Sequence, residues 1–577
     1  MMQKAKRLFL LLLIGLPAVV SHAQDTEYWF VVPDIDHINS AYCGDTPGQL
    51  ILTAGEKDAN VTVKYKGGDK QVTRSIPAGT TQIITFARNP GAGQYSMADL
   101  ENIPANSSAT KNKFGIHITS DSYIYASYQA DGSCLRDLFT LKGERALGTH
   151  FYLPFQNKTP LQTVYPKPER SFNIVASEDN TNITVNLKNG TLKNCGAATT
   201  LNFTLNAGET WAGVGSSHTQ LLFGTEIISD KDIAVTVHEN TLDGDLIGDQ
   251  IVPVSNLSKS YIVLRTYPVG RTPNRAEYAF IMATENNTTL SIIRSSSATP
   301  STVTLANAGD MYELAVSEEY YAIQASHPVS VYHLAAYLSD QEPGASILPS
   351  MYSIQSRDIS FYKPSESMNH YIFIIAHKDN VGNFLVNGSS TAIPAGNFTA
   401  FSSASGLSDW RYLRMSIASW PSGINRVRNT KGAFSLGYML GNNTSGSYGY
   451  LSAFGEFKFA NDTVYKCPGS SVTLDGSYAK SYLWIYPDGT TQSTPSVTVT
   501  QPGKYKLEMN QDPRIVVDSF TLVDIHYNAS VSHAPAGAVK AGTPVALSVQ
   551  MNRIPGLPLG YQWTFPSGSS PASSTAA

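Results

Sequence analysis

Charge and cysteine are both scarce in this sequence, and each shortage closes off a class of protein. Only 15% of the 577 residues are charged, against roughly 25% in an average soluble domain. Lys+Arg 41 face Asp+Glu 45, giving a net charge of −4. No run of Lys/Arg follows the first seven residues, so the basic face of a polyanion binder is missing and nucleic acid is not an expected partner. The cysteines number 4, with no CxxC spacing, which excludes a disulfide scaffold, dithiol redox chemistry and zinc fingers. Past the N-terminus no apolar run approaches the roughly 20 residues of a membrane-spanning helix, so membrane insertion is not expected. What is plentiful is aromatic: 10% of residues, with 31 Tyr and 22 Phe. Little charge and many aromatics favour strands over helices.

The N-terminus carries an export signal. Lys4, Lys6 and Arg7 precede an apolar run from Leu8 to Val20, and Ser21-His22-Ala23 supplies small residues for cleavage between Ala23 and Gln24. Gln at the new terminus gives no lipid-anchoring cysteine. The expected location is extracellular or on a bacterial cell surface. In that oxidising setting Cys43 and Cys134 are a candidate disulfide, while Cys195 and Cys467 read as a second pair or as structural thiols.

Internal repetition is the strongest signal in the chain. Ile51-Leu52-Thr53-Ala54-Gly55-Glu56-Lys57-Asp58-Ala59-Asn60-Val61-Thr62-Val63 returns as Ile174-Val175-Ala176-Ser177-Glu178-Asp179-Asn180-Thr181-Asn182-Ile183-Thr184-Val185, then from Ile281 to Leu290, and more weakly from Ile374 to Asn380. Strand, polar turn and alternating strand read as a β-hairpin. Next come Ile76-Pro77-Ala78-Gly79, Leu205-Asn206-Ala207-Gly208, Ala306-Asn307-Ala308-Gly309 and Ile393-Pro394-Ala395-Gly396, tight turns whose glycine is expected at positive φ. A polar turn feeding another strand follows at Ser120-Asp121, Ser229-Asp230 and Ser326-His327; the fourth copy, near Phe434 to Met439, lacks the acid. Each copy opens on an aromatic strand at Tyr28, Phe151, Tyr261 or Phe361.

The expected fold is all-β: four tandem antiparallel modules, at 24–146, 147–256, 257–356 and 357–455, each sandwich-like. The alternative is a β-propeller ring of about eight blades. An Ig-like sandwich is expected at 456–526, with Trp484 on a central strand and a closing Gly503-Lys504-Tyr505 strand. A partial PKD-like unit is expected at 527–577.

Catalytic motifs are wanting: no His-Glu-x-x-His, Gly-x-Ser-x-Gly, P-loop or dinucleotide fingerprint occurs. No cofactor and no metal are expected. His37 with Asp34 and Asp36 is read as a surface turn, and Asp243-Gly244-Asp245 with Asp249 as a solvated loop lacking the ligand order of an EF-hand. Glu56, Asp58, Glu178, Asp179 and Glu285 recur at equivalent turns, so local turn chemistry accounts for them better than a glycosidase pair. Trp410, Tyr412 and Trp420, with Tyr320 and Tyr321, are candidate ligand-contact aromatics.

The opening Glu27-Tyr28-Trp29-Phe30-Val31-Val32-Pro33, the repeated Ala-x-Glu-x-Asn segments, the Ala-Gly turns and the restart Leu147-Gly148-Thr149-His150-Phe151-Tyr152 resemble bacterial members of the IgGFc-binding protein N-terminal family over about residues 25–450. The tail is similar to the Ig-like and PKD-like modules that follow such regions in surface proteins of Bacteroidetes, with Trp563-Thr564-Phe565-Pro566-Ser567-Gly568 departing from the usual PKD pattern. The resemblance implies a non-enzymatic binding or adhesion protein whose partner is an extracellular protein or glycan. The alternatives are a secreted carbohydrate-active enzyme and a structural spacer.

Overall fold

The computed structural model describes residues 24–33, 47–100, 111–131, 136–158, 170–193, 195–240, 246–266, 276–297, 299–336, 343–354, 356–365, 368–402, 405–441, 446–452, 454, 463–476, 479–510, 515–525, 529–534, 540, 546–551, 563–564 and 573–574. Strands connected by turns and short 3-10 segments make up the described chain.

Each of the first three repeats is organised by one long strand: Ile116–Asp131, Glu226–Asn240 and Tyr320–Ala336. In the second repeat, Arg170–Ala176 pairs with the 233–239 half of the long strand, whereas Thr181–Asn186 pairs with the 226–229 half. The segment expected to be a hairpin is therefore an arch: its two strands lie in different half-sheets and do not pair with each other. The same holds in the first repeat, where Gly48–Ala54 pairs with 124–130 and Ala59–Tyr65 with 117–120. The Ala-Gly turn makes a second arch, from Lys70–Ile76 on one half-sheet to Thr81–Ala87 on the other.

A recurring side-chain bond couples the two arches. Asp58 Oδ1 accepts from Ala78 N (2.8 Å), Asp179 Oδ1 from Ala207 N (3.1 Å) and Asn286 Oδ1 from Ala308 N (2.9 Å). Gly79, Gly208 and Gly309 take φ of 68°, 77° and 75°, as the turn chemistry requires. Gly396 instead lies within the 3-10 turn Ala395–Asn397.

The polar segment expected to be a third turn is a bulge inside the continuous long strand. Pairing slips between Ile228 and Ile233 in the second repeat, with Asp230 on the bulge holding Asn182 N (2.8 Å) and Nδ2 (2.7 Å). A bulge bends its strand, and this one lets a single strand serve both half-sheets, which face each other across an apolar core. In the fourth repeat, where the acid is missing, the strand is broken into Gly423–Asn429 and Phe434–Gly441, which lie in separate sheets of three and five strands. The repeats are sandwich-like, and the continuous long strand rules out independent propeller blades.

After each long strand a short strand returns along its outer edge: Arg136–Thr140, Leu246–Gln250, Pro343–Ile347 and Gly446–Tyr450. These four closing strands pack against one another in a cycle, first on second, second on third, third on fourth and fourth on first. The four repeats thus form a ring around a buried hub. Glycine permits the close approach: a Cβ on Gly344 would lie 2.6 Å from Tyr448 Cβ of the fourth repeat, and one on Gly248 2.9 Å from the Phe139 ring of the first.

Residues 463–524 make a separate sandwich. Trp484 is fully buried and donates through Nε1 to Thr494 O (2.8 Å), and Tyr505 stacks on Phe520 at 5.3 Å. Its first strand, Thr463–Lys466, runs parallel to its last, Ile515–Asp524. Further on, the described pieces are Ala529–Ala534 paired with Ala546–Met551 and Trp563–Thr564 paired with Ser573–Ser574.

Candidate functional site: the hub and the outer sheet faces

The hub brings buried charge together. Asp137, 0% exposed, accepts from Leu138 N (2.8 Å), from Gly248 N of the second repeat (2.9 Å) and from Tyr448 N of the fourth (3.3 Å). Burial pushes its carboxyl well above the usual range, against the pull of those N–H groups. Asp249, also 0% exposed, faces Lys142 of the first repeat at 2.8 Å, and its other oxygen accepts from Ser346 Oγ and Ile347 N of the third, both at 3.0 Å. Ser346 Oγ in turn accepts from Tyr450 N of the fourth repeat at 3.4 Å. One polar circuit therefore stitches all four closing strands together. The expectation for Asp249, a solvated loop, is overturned: pairing of Val237 with Asp249 places it on a closing strand inside the hub. Both carboxyl groups are sealed from solvent and held by donors from neighbouring repeats.

The outer faces are the accessible surface. In the second repeat Glu226 Oε1 meets His150 Nε2 and Tyr152 Oη, each at 2.9 Å, while Oε2 accepts from Asn186 Nδ2 at 3.0 Å. Partial burial works to raise the Glu226 carboxyl, but the bonds from Asn186, Tyr152 and His150 outweigh it and hold the group below its ordinary value. Ile228, 41% exposed, lies directly across from His150. The first repeat has the same constellation with acid and imidazole exchanged between strands: Glu27 Oε1 meets His117 Nε2 at 2.8 Å and Trp29 Nε1 at 3.0 Å, and Trp29 stacks on His117 at 4.0 Å. Burial lowers the His117 pKa despite Glu27. The Glu226 cluster joins a charged acceptor, an amide donor and the rings of His150 and Tyr152, which is the chemistry of polar ligand recognition; in the first repeat Glu27 stays 43% exposed, whereas Trp29, 8% exposed, packs with Val31 against Val175 and Ala234 of the second repeat. Neither cluster was singled out from sequence; the signal was the acid and imidazole reappearing, exchanged, in opening and long strands.

The residues nominated from sequence lie elsewhere. Trp410 is 3% exposed, and Tyr412 and Trp420 are each 9% exposed. Tyr412 packs on Phe401 (4.9 Å) and Tyr320 (5.8 Å), and Trp420 near Phe361 (6.5 Å). These rings, with Tyr320 and Tyr321, serve packing instead of offering an open face: Trp410 and Tyr412 lie two apart on one face of the strand Trp410–Ser416, Trp420 sits in the turn that follows it, and Tyr320 and Tyr321 are both buried. Glu56 is not a turn acceptor like Asp58; it reaches the fourth repeat at Arg426 Nη2, 3.0 Å away. Cys195 and Cys467 are half-buried. Cys43, Cys134, Ala23, His37, Asp34, Asp36, Asp243 and Asp245 lie outside the described residues. Among the described residues no three His, Cys, Asp or Glu side chains gather as a metal site, and no helix is long and apolar enough to cross a membrane.

Repeated sandwiches locked about a hub, with polar clusters on their outer faces, define a multi-repeat β binding array. The profile of the family described as IgGFc binding protein matches residues 137–439, more than half of the chain, and the chain belongs to that family. The match covers the core of the span expected from the repeated motifs. No curated protein matches this sequence. Among solved structures, a tetra-tandem repeat from the extending region of a large adhesion protein is similar at 11% identity over 82% of this chain and 93% of that one, with a TM-score of 0.08. A Salmonella alpha-2-macroglobulin mutant is similar at 9% identity over 94% of this chain and 48% of that one, with a TM-score of 0.12. At these scores neither bears on fold or function.

Proposed function

We propose that this is an exported, surface-displayed protein of the Bacteroidetes type that binds an extracellular macromolecule, a host glycoprotein, mucin or immunoglobulin, without catalysis. The observation that carries the reading is membership of the IgGFc-binding family across the joined repeats, a binding and not an enzymatic family. The outer clusters around Glu226 and Glu27 are the proposed contact surface, since Glu27, His150 and Glu226 keep 43%, 38% and 26% of their side chains exposed. In this reading residues 1–23 are the export signal, 24–455 hold four modules bounded as the repeats suggest, 456–526 are Ig-like and 527–577 PKD-like, and Cys43 pairs with Cys134. Glycan arrays and pull-downs with mucus and with immunoglobulin Fc test it. Retention in one of them, reduced tenfold or more by Glu226→Ala with Glu27→Ala, is expected; silence in all of them sinks the proposal.

A further inference from the structure

The hub contains a lysine and an aspartate from different repeats, both removed from water. Lys142 and Asp249 have side chains 2% and 1% exposed, with Lys142 Nζ 2.8 Å from Asp249 Oδ1. Their surroundings are arranged unequally about the carboxyl group. Oδ1 faces the lysine, whereas Oδ2 is held by two donors, Ile347 N and Ser346 Oγ, each at 3.0 Å. Lys142 Nζ is oriented by Thr140 O at 3.1 Å and lies 4.9 Å from the centre of the Phe454 ring. Nζ at 2.8 Å from Oδ1 sits beside the carboxyl carbon that oxygen is bonded to, the positioning that makes an intramolecular attack effective, and two fixed donors on the other carboxyl oxygen are the arrangement that stabilises a tetrahedral oxyanion.

We propose that Lys142 and Asp249 condense into an amide that covalently locks the first repeat to the second. Nζ forms a bond to Cγ of Asp249. Negative charge develops on Oδ2, where Ile347 N–H and Ser346 O–H receive it. The Cγ–Oδ1 bond then breaks, and Oδ1 leaves as water with protons that began on the ammonium group. The ammonium and carboxylate together hold every atom of the amide and one water, so no oxidant, reductant or activating group is needed. Geometry is joined by electrostatics: burial lowers the Lys142 pKa and raises that of Asp249, each toward its uncharged, reactive form, although their mutual attraction opposes this. Asp137, the neighbouring buried carboxyl, is also shifted toward its protonated form and can carry a proton. The buried Lys466–Asp524 contact of the tail sandwich is a useful contrast, because Asp524 stays 20% exposed to water.

The test is mass spectrometry on the reduced, purified wild-type chain. The expected result is an intact mass one water below that of its sequence, trypsin failing to cut after Lys142 in the denatured protein, and a branched peptide whose fragments contain both Lys142 and Asp249. Lys142→Arg keeps the ion pair but cannot condense in this way; it should fold with an unchanged circular dichroism spectrum, regain the missing water and lose the branched peptide. Wild-type Lys142 and Asp249 in separate unmodified peptides would overturn the proposal, as would a missing water without the branched peptide.

Discussion

Where the second repeat meets its neighbours, backbone lies on backbone; where the fourth meets its own, arginines reach across. Gly208 abuts Gly67 of the first repeat, with a Cβ on Gly208 reaching 3.1 Å from Gly67 Cα, and Gly224 abuts Gly309 of the third, with a Cβ on Gly224 reaching 2.4 Å from the Gly309 carbonyl oxygen. At the third–fourth joint Arg414 donates to Arg265 O (2.9 Å) and Glu319 (3.1 Å); at the fourth–first joint Arg426 meets Glu56 and Tyr125 donates to Asp358 O. The Ala-Gly turn is what differs. In the second and third repeats its glycine is pressed against the preceding repeat, whereas nothing lies within 4 Å of the Cβ position at Gly79 or Gly396. The drift of the fourth copy away from the common sequence therefore has a structural counterpart: outside the hub its two joints lack the glycine-on-glycine contact and are spanned by long side chains, whereas at the second–third joint Lys188 reaches Asp310 beside that contact.

The largest expected effect is at the hub, which both kinds of joint share. Lys142→Met removes the partner, ion-paired or amide-bonded, that Asp249 has across the first–second joint and leaves a buried carboxyl unmatched, which should cost at least about 3–5 kcal/mol, read as a lowered denaturant midpoint. Gly224→Ala combines a left-handed backbone with a clash against Gly309 and should cost about 2–5 kcal/mol. Gly79→Ala, at similar φ but in open space, should cost only about 1–2 kcal/mol; equal losses for the two would end the distinction between the joints. Glu56→Gln, at a partly exposed pair, should cost under about 1 kcal/mol and less still in high salt.

The smallest effect is in pH. Partial burial works to raise the Asp310 carboxyl at the second–third joint, but Lys188 at 2.5 Å and Asn307 together hold it below its ordinary 3.8. A depressed folded pKa stabilises fully above the unfolded value and is lost as pH falls through the folded one. Acid titration of stability should therefore steepen below about pH 4, and Lys188→Met should flatten that slope.

Much of this was legible from local chemistry. Turn acids, the positive φ of Gly79, Gly208 and Gly309, the buried Trp484 and the repetition itself follow from what single turns and strands require. Partners were not legible. Gly48–Ala54 and Ala59–Tyr65 carry the alternation of a hairpin, yet an arch has the same local pattern, and the choice is made by a strand more than fifty residues later. The closing strands share no sequence, reading Arg136-Asp137-Leu138-Phe139-Thr140 in one repeat and Gly446-Ser447-Tyr448-Gly449-Tyr450 in another. Each is fitted to its three neighbours, so Asp249 looked like a loop residue until the ring supplied its surroundings.

The parallel pairing of Thr463–Lys466 with Ile515–Asp524 has a mechanical side. Tension applied to the two ends of that sandwich pulls neighbouring strands in opposite directions along their length, loading every bond between them at once. An antiparallel pair pulled from one end would open bond by bond. For a sandwich between a ligand-holding array and whatever lies beyond it in the chain, that topology converts a modest number of hydrogen bonds into resistance against stretching.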